Sequence, residues 1–258
     1  YSFLFLPQNQ RRAITALYAF CREVDDVVDE CQDPQIAATK LAWWRQELSG
    51  LYAGKPQHPV TQALQAASAE FHLPEEQLQE IIDGMAMDLQ QTRYLDFKAL
   101  SLYCYRVASV VGLLAAEIFG YQDRKTQKYA HDLGLAFQLT NIIRDVGEDA
   151  RMGRIYLPID ELQRFGVPAA DILNARHSDN FRRLMEFQIE RAEGYYAQAI
   201  DELPAIDRRA QRPGLMMAAI YRTLLDEIRR DGCQVLTQRT SLTPIRKLWI
   251  AWRTWVRG

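Results

Sequence analysis

The chain of 258 residues has few cysteines and histidines and no excess of either charge. Its four cysteines include no C-x-x-C pair, which argues against a disulfide framework or a zinc knuckle and fits a reducing cytoplasm. The four histidines stand alone in sequence, so histidine acid–base catalysis is not favoured. A formal net charge of −2 provides no basic field, and we therefore expect no nucleic-acid partner.

Long apolar runs are also missing. The longest, Val107 to Tyr121, is interrupted by Glu117 and is shorter than the roughly 20 residues that span a bilayer, so we expect no transmembrane helix. The sequence does not open with a charged start followed by an apolar segment, so no signal peptide is indicated. The chain begins at Tyr1 without a methionine, and we expect that an N-terminal segment of the full protein precedes it. These features predict a cytoplasmic protein.

Helical periodicity dominates the rest of the chain. Hydrophobic residues make up 48% and charged residues 25%, as in a globular protein with a full core. Apolar side chains recur at three- and four-residue spacing, strand-like alternation is nearly absent, and proline and glycine mark the breaks. No break is long or polar enough to be a linker between domains. The sequence predicts one all-α domain over residues 1–258, with about eight long helices.

The first candidate site is an acidic helical face. Tyr18, Arg22, Asp25 and Asp29 advance by 4, 3 and 4 residues, so they share one side of a helix. Residues 23–39 contain no lysine or arginine to relieve the repulsion between these acids. Such a face favours a bound cation, and the alternative is an exposed acidic helix end.

A second face repeats the arrangement. Gln138, Asn141, Asp145 and Asp149 advance by 3, 4 and 4 residues, with Arg144 beside them. Two carboxylate pairs, each with an arginine nearby, predict two helices that face each other across a cavity. There Mg²⁺ would bridge carboxylates to a diphosphate, because Mg²⁺ prefers carboxylates together with substrate phosphates.

Two glycines and a loop belong to the second helix. Gly134 and Gly147 each cost a helix roughly 1 kcal/mol relative to alanine, which predicts a close approach by a ligand or a neighbouring backbone. The basic segment 150–158 follows directly. It can be a lid whose arginines grip diphosphate and whose closure excludes water, or an ordinary connection between helices.

These patterns resemble the signatures of the squalene/phytoene synthase family. The resemblance rests on both acidic faces, on the run from Tyr103 to Gly112, on Arg154-Ile155-Tyr156-Leu157-Pro158 and on Met217-Ala218-Ala219-Ile220-Tyr221, and it covers essentially the whole chain. The segments Ser2 to Pro7 and Ser241 to Trp249 resemble the bacterial presqualene diphosphate synthases of hopanoid and squalene biosynthesis.

The resemblance implies an all-α isoprenoid synthase fold, a helical bundle around a central apolar cavity. It also implies an Mg²⁺-dependent prenyltransferase that joins two farnesyl diphosphates head to head (1′-1) to presqualene diphosphate. The implied metal ligands are Asp25, Asp29, Asn141, Asp145 and Asp149. The implied catalytic residues are Asp25, Asp29, Asp145, Asp149, Tyr18 and Tyr221. The implied substrate-binding residues are Arg22, Tyr103, Val107, Ala108, Val111, Gly112, Gln138, Arg144, Arg154, Tyr156 and Arg239.

Other functions stay open at this point. A phytoene synthase would couple two geranylgeranyl diphosphates, and a full squalene synthase would continue by reducing the intermediate with NADPH. A non-catalytic helical adaptor or lipid-binding module would release no diphosphate. Downstream isoprenoid enzymes are candidate partners.

A separate pattern lies at the C-terminal end. Ile245, Leu248, Trp249, Trp252 and Val256 form one helical stripe, which Arg246, Lys247, Arg253 and Arg257 flank. This stripe predicts peripheral contact of residues 243–258 with the inner face of a membrane, and the alternative is packing onto the protein body.

Overall fold

The helical prediction is confirmed by the structure, a computed structural model that describes residues 3, 6–31 and 33–257. Ser2, Leu4 and Phe5 of the opening segment and the side chain of Arg257 lie outside the described residues. Within the described part no strand occurs, and an isolated bridge joins Arg93 to Ile155. The helices are α1 (Gln8–Glu30), α2 (Pro34–Tyr52), α3 (Pro59–Ser68), α4 (Glu75–Gln90), α5 (Phe97–Cys104), α6 (Val110–Phe119), α7 (Lys125–Arg151), α8 (Ile159–Phe165), α9 (Ala169–Leu173), α10 (Asp179–Glu202), α11 (Arg212–Arg230) and α12 (Pro244–Arg257).

Several helix ends follow from local chemistry. The Asp33 side chain accepts hydrogen bonds from the backbone N–H groups of Gln35 and Ile36, which satisfies donors that the first turn of α2 leaves free. Ser178 caps α10 in the same way. Gly166 ends α8 in the left-handed conformation, which glycine adopts without steric cost.

A single central helix runs from Phe97 to Phe119, because the π-helical turn Tyr105–Ser109 joins α5 to α6 without a break. This helix is long and apolar enough to cross a membrane by length and composition. The apolar run counted in the sequence was therefore too short, because it began only after Arg106 and left out residues 97–106 of the same helix. In the structure the helix packs against α1, α4 and α7, as the core helix of a bundle does.

The apolar core has two clusters that meet at this central helix. One cluster is built mainly from α1 to α4 and α6. The other surrounds α7, α10 and α11. Val110, Leu114 and Ile118 face the first cluster, whereas Leu100 and Ala116 face the second. The central helix therefore positions α1 and α7, the two helices that carry the acidic faces.

The two glycines of α7 are sites of close backbone approach, as predicted. A Cβ atom on Gly134 would lie 2.6 Å from the carbonyl oxygen of Ala108 in the central helix. A Cβ atom on Gly147 would lie 2.4 Å from the carbonyl oxygen of Leu236. Only a residue without a side chain lets α7 lie this close to its neighbours.

We expect Gly134→Ala to lower the free energy of unfolding by about 1–3 kcal/mol, because the added methyl group forces two packed backbones apart. Chemical denaturation monitored by circular dichroism measures the change. Gly194→Ala is the matched control, since nothing lies within 4 Å of its Cβ position in α10. It should stabilise the protein by up to about 1 kcal/mol. Equal effects of the two substitutions would contradict this account of α7.

Candidate active site

The acidic faces of α1 and α7 line opposite walls of one pocket, which we call the acidic pocket. Asp25 and Asp29 stand on the α1 wall, and Asp145, Glu148 and Asp149 stand on the α7 wall. The predicted residues that line this pocket are Tyr18, Arg22, Asp25, Asp29, Tyr103, Val107, Val111, Gln138, Asn141, Arg144, Asp145, Asp149, Arg154, Tyr156 and Arg239. The structure thus brings residues from four distant parts of the chain to one site.

A mainly apolar tunnel continues from the acidic pocket into the bundle. Its predicted lining residues are Tyr18, Val107, Ala108, Val111, Gly112, Gln138, Asn141 and Tyr221. Five of these, including Tyr18 and Asn141, also line the acidic pocket, so the two spaces adjoin. Every residue predicted for the site lies on one or both of them, and the role of each residue stays a prediction.

The carboxylates of α1 are only partly neutralised. Arg154 forms an ion pair with Asp29 at 3.0 Å, and Arg22 pairs with Asp26 at 2.7 Å on the outer side of the helix. Asp25 makes no hydrogen bond or ion pair with another described residue. Burial, together with the negative charge of Asp29, raises the pKa of Asp25 to about 6. The α1 wall therefore presents a half-buried carboxylate that favours a proton or a cation.

The carboxylates of α7 lie in two contrasting environments. Burial alone would raise the pKa of Asp145, but hydrogen bonds from Arg144 at 2.7 Å and Arg239 at 2.8 Å hold it below its ordinary value. Arg239 also pairs with Glu148 at 3.2 Å. Burial and the charge of Asp145 raise the pKa of Asp149 to about 8. At neutral pH this wall therefore holds two carboxylates paired with arginine, Asp145 and Glu148, and one carboxyl group, Asp149, that is mostly protonated.

The donor set fits a hard divalent cation, although arginines interpose between the carboxylates. In the described part of the chain, no three Asp, Glu, Cys or His side chains converge closely enough to hold a metal by themselves. The buried Oδ1 atom of Asn141, however, has no hydrogen-bond partner. A buried oxygen without a donor costs about 1–3 kcal/mol, which a cation ligated there would offset. Asn141 lies on the α7 wall one turn before Asp145, and the family resemblance implies that it is a metal ligand.

Asp88 of α4 is a pocket residue that the sequence analysis missed. Its carboxylate accepts hydrogen bonds from the hydroxyl groups of Tyr103 and Tyr156, each at 2.9 Å. Burial raises the pKa of Asp88 to about 6, and Arg154 opposes the rise. The carboxylate therefore fixes the orientation of two tyrosines that line the pocket. Its sequence signal was weak, because Asp88 has no acidic partner three or four residues away along α4.

The segment after α7 is packed rather than open. The backbone N–H of Arg154 donates to the carbonyl of Asp149 at 2.9 Å, and that of Ile155 donates to Thr92 at 3.0 Å. Ile155, Tyr156 and Leu157 are buried. The segment holds Arg154 and Tyr156 against the acidic pocket, whereas its predicted closure as a lid stays a prediction.

An all-α bundle whose apolar tunnel ends at two opposed carboxylate walls is the architecture of an isoprenoid synthase. Over residues 1–246 the chain matches the squalene/phytoene synthase family, and it belongs to that family.

Similar proteins and structures agree with this assignment. The chain is 37% identical to a 15-cis-phytoene synthase of Synechocystis over 99% of this chain and 79% of that protein. It is 38% identical to a phytoene synthase of Arthrospira platensis over 94% and 83%. A dehydrosqualene synthase crystallised with a ligand shares the fold with a TM-score of 0.90, at 29% identity over 99% of this chain and 89% of that one. Squalene synthase HpnC of Alicyclobacillus acidocaldarius gives a TM-score of 0.81, at 31% identity over 90% and 87%.

Family membership confirms the fold class and the type of enzyme. The chain is a prenyltransferase of the all-α isoprenoid synthase fold, and it condenses prenyl diphosphates head to head. This excludes the non-catalytic adaptor or lipid-binding alternative. Enzymes of the family depend on divalent metals in general.

We expect Asp149→Asn to stabilise the metal-free protein at pH 8. Because folding raises the pKa of Asp149 from its ordinary 3.8 to about 8, its contribution to stability is full below about pH 4 and is lost as the pH rises toward 8. The uncharged amide removes this loss. The melting temperature at pH 8 in a chelating buffer should rise by at least about 2–4 °C, the shift expected for roughly 1 kcal/mol.

The exposed Asp179 of α10 supplies the matched control, and Asp179→Asn should leave the melting temperature within about 1 °C, as surface substitutions usually do. Adding Mg²⁺ at pH 8 should stabilise the unsubstituted protein more than the Asp149→Asn variant. An equal gain in both proteins would show that Asp149 holds no cation.

Proposed function

We propose that the protein catalyses the Mg²⁺-dependent condensation of two farnesyl diphosphates to presqualene diphosphate, with release of one diphosphate. The observation that carries this proposal is the junction of two carboxylate walls with an apolar tunnel. Mg²⁺ bound by Asp25, Asp29, Asn141, Asp145 and Asp149 would supply positive charge that stabilises the departing diphosphate.

The arginines of the acidic pocket are suited to hold the two diphosphate groups. Arg144, Arg154 and Arg239 each engage a carboxylate in the structure, so their guanidinium groups already point into the pocket. A guanidinium group can turn from a carboxylate to a phosphate with the same bidentate geometry. We infer that substrate diphosphates replace the carboxylates as partners of these arginines.

The chemistry is an ionisation followed by ring closure. The C1–O bond of the first substrate breaks, and diphosphate leaves with the electron pair, so an allylic cation forms. The C2=C3 electron pair of the second substrate attacks that C1, which forms one carbon–carbon bond and moves the positive charge to C3. Loss of a proton from the attacked carbon then closes the cyclopropane ring, and the second diphosphate stays attached.

The released diphosphate is the base that the structure favours. Burial raises the pKa of the Tyr18 hydroxyl above its ordinary value, so this hydroxyl stays protonated at neutral pH and is a poor proton acceptor. Diphosphate held by the arginines remains near the cation. Tyr18 and Tyr221 instead line the path of the prenyl chain, where aromatic faces stabilise positive charge.

The depth of the tunnel supports a C15 substrate. Its wall along α7, from Asn141 to Tyr129, is about 18 Å long at ~1.5 Å per residue. Phe119 and Tyr129 also line the tunnel, and we infer that their rings close its far end over roughly one turn, about 5 Å. About 13 Å is then left for a chain. An extended chain advances roughly 1.2 Å per bond, so the 11 bonds from C1 to the far end of farnesyl need about 13 Å.

Geranylgeranyl diphosphate is the second candidate substrate. Its 15 bonds need about 18 Å by the same scaling, so it would have to fold or displace the closing rings. The similarity to phytoene synthases at 37–38% identity favours this C20 substrate. The similarity to enzymes named for dehydrosqualene and squalene, which are C30 hydrocarbons, favours C15. The chain length therefore has to be measured.

We expect Asp25→Ala and Asp145→Ala each to reduce diphosphate release by at least about a thousandfold. Each change removes several kcal/mol of charge stabilisation, and roughly 1.4 kcal/mol corresponds to a tenfold change in rate. Far-ultraviolet circular dichroism should show unchanged helicity. Glu23→Ala, on the exposed side of α1, is the control and should keep the rate within about twofold. Full activity in either aspartate variant would remove the metal assignment.

Product analysis with each prenyl diphosphate tests the chain length. With farnesyl diphosphate and Mg²⁺ we expect mass spectrometry to detect presqualene diphosphate. The kcat/KM for farnesyl diphosphate should be at least about tenfold above that for geranylgeranyl diphosphate, because a misfit of the longer chain that costs roughly 1.4 kcal/mol in the transition state gives a tenfold difference. Phe119→Leu and Phe119→Ala should shift this ratio toward the longer substrate in that order. A preference for geranylgeranyl diphosphate in the unsubstituted protein would favour phytoene synthesis. Reactions with NADPH separate a full squalene synthase, which would yield squalene.

A further inference from the structure

Helix α12 has one face packed on the protein and one face open to solvent. Ala251 is 2% exposed, and Ile250 and Trp255 pack against the core cluster around α7 and α11. The Trp255 ring also lies against the guanidinium group of Arg212, 4.9 Å from the ring centroid. These contacts fix the orientation of α12, so its outer face is a defined surface.

The outer face carries a continuous stripe of large apolar side chains. The exposed fractions are 80% for Ile245, 57% for Trp249, 50% for Trp252 and 63% for Val256, with Leu248 beside them at 43%. The rings of Trp249 and Trp252 stack with centroids 5.1 Å apart. In the described part of the chain, five of the fourteen exposed large hydrophobic side chains lie within residues 245–256. The others are spread over the rest of the surface, so the stripe is a concentrated patch.

Basic residues accompany the stripe. Residues 244–257 contain four basic residues and no acidic one. Arg253 is exposed and follows Trp252 directly. Arg246 lies about two turns earlier on the same side and bonds to Glu227 at 2.6 Å. An apolar stripe bordered by positive charge, with tryptophans in the stripe, matches the interface of a bilayer that contains anionic lipids.

We propose that the outer face of α12 docks the protein on the surface of an anionic lipid bilayer, with the helix axis parallel to the membrane plane. A protein partner would have to supply an equally long apolar groove with acidic rims, whereas the bilayer interface offers both properties along any direction. The apolar side chains enter the boundary between headgroups and acyl chains, and the arginines remain among the phosphates. The docking holds whichever prenyl diphosphate is coupled, because α12 lies outside the acidic pocket.

Flotation of the full chain with lipid vesicles tests this docking. We expect binding to vesicles of phosphatidylcholine with phosphatidylglycerol, and weaker binding to phosphatidylcholine alone. The double variant Trp249→Ala with Trp252→Ala should weaken binding at least about tenfold, because two buried aromatic side chains are lost. Arg253→Gln should weaken it about fivefold on the anionic vesicles only, the factor that roughly 1 kcal/mol per basic residue gives.

The matched control is the double variant Leu173→Ala with Ile206→Ala, which removes two exposed apolar side chains from elsewhere on the surface. It should bind as the unsubstituted protein does. Circular dichroism and diphosphate release from detergent-dispersed substrate should stay within about twofold in all variants, which shows that they fold. Unchanged flotation of the tryptophan variant would overturn the proposal. The proposal would also be overturned if no protein floated with the vesicles and analytical ultracentrifugation showed a dimer that the tryptophan variant disrupts. The outer face of α12 would then bind a second copy of the chain.

Discussion

The structure depends on keeping negative side chains from α1 and α7 face to face inside the protein. Burial and mutual repulsion raise the pKa values of Asp25, Asp88 and Asp149, so the pocket holds an unfavourable arrangement of negative charge. Arginines from distant segments of the chain relieve part of it. Cations and diphosphates can relieve the rest, because they bring positive charge to the carboxylates and new partners to the arginines. The repulsion between carboxylates thus lowers the stability of the protein and, for the same reason, favours the binding of metal and substrate.

Close packing of helices sets the distance over which this repulsion acts. Gly134 and Gly147 let α7 lie directly against the central helix and the segment at Leu236, and a methyl group at either position would push them apart. The segment after Leu236 carries Arg239 to Asp145. Packing by small residues is therefore coupled to the electrostatics of the pocket, since a shift of α7 would move both the carboxylates and their arginine partners.

Much of this architecture follows from sequence periodicity. The helices, the two acidic faces and the close approaches at Gly134 and Gly147 are local patterns, and a spacing of three or four residues fixes which side chains share a face. Asp88 and the pairing of Arg154 with Asp29 could not be predicted, because they join residues far apart in sequence that carry no spacing signal. The π-helical turn after Cys104 was also missed, and with it the full length of the central helix. The length of the prenyl chain depends on which side chains close the tunnel, and this is set by three-dimensional packing rather than by spacing along the sequence.

The central claim is that the opposed carboxylates hold divalent cations against a diphosphate. Anomalous diffraction from crystals grown with Mn²⁺ and inorganic diphosphate tests this claim most directly. We expect manganese peaks between the two walls, ligated by Asp25 or Asp29 on one side and by Asn141, Asp145 or Asp149 on the other, with Arg154 or Arg239 turned toward the diphosphate. Diphosphate bound with no manganese between the walls, or manganese at other carboxylates only, would contradict the account.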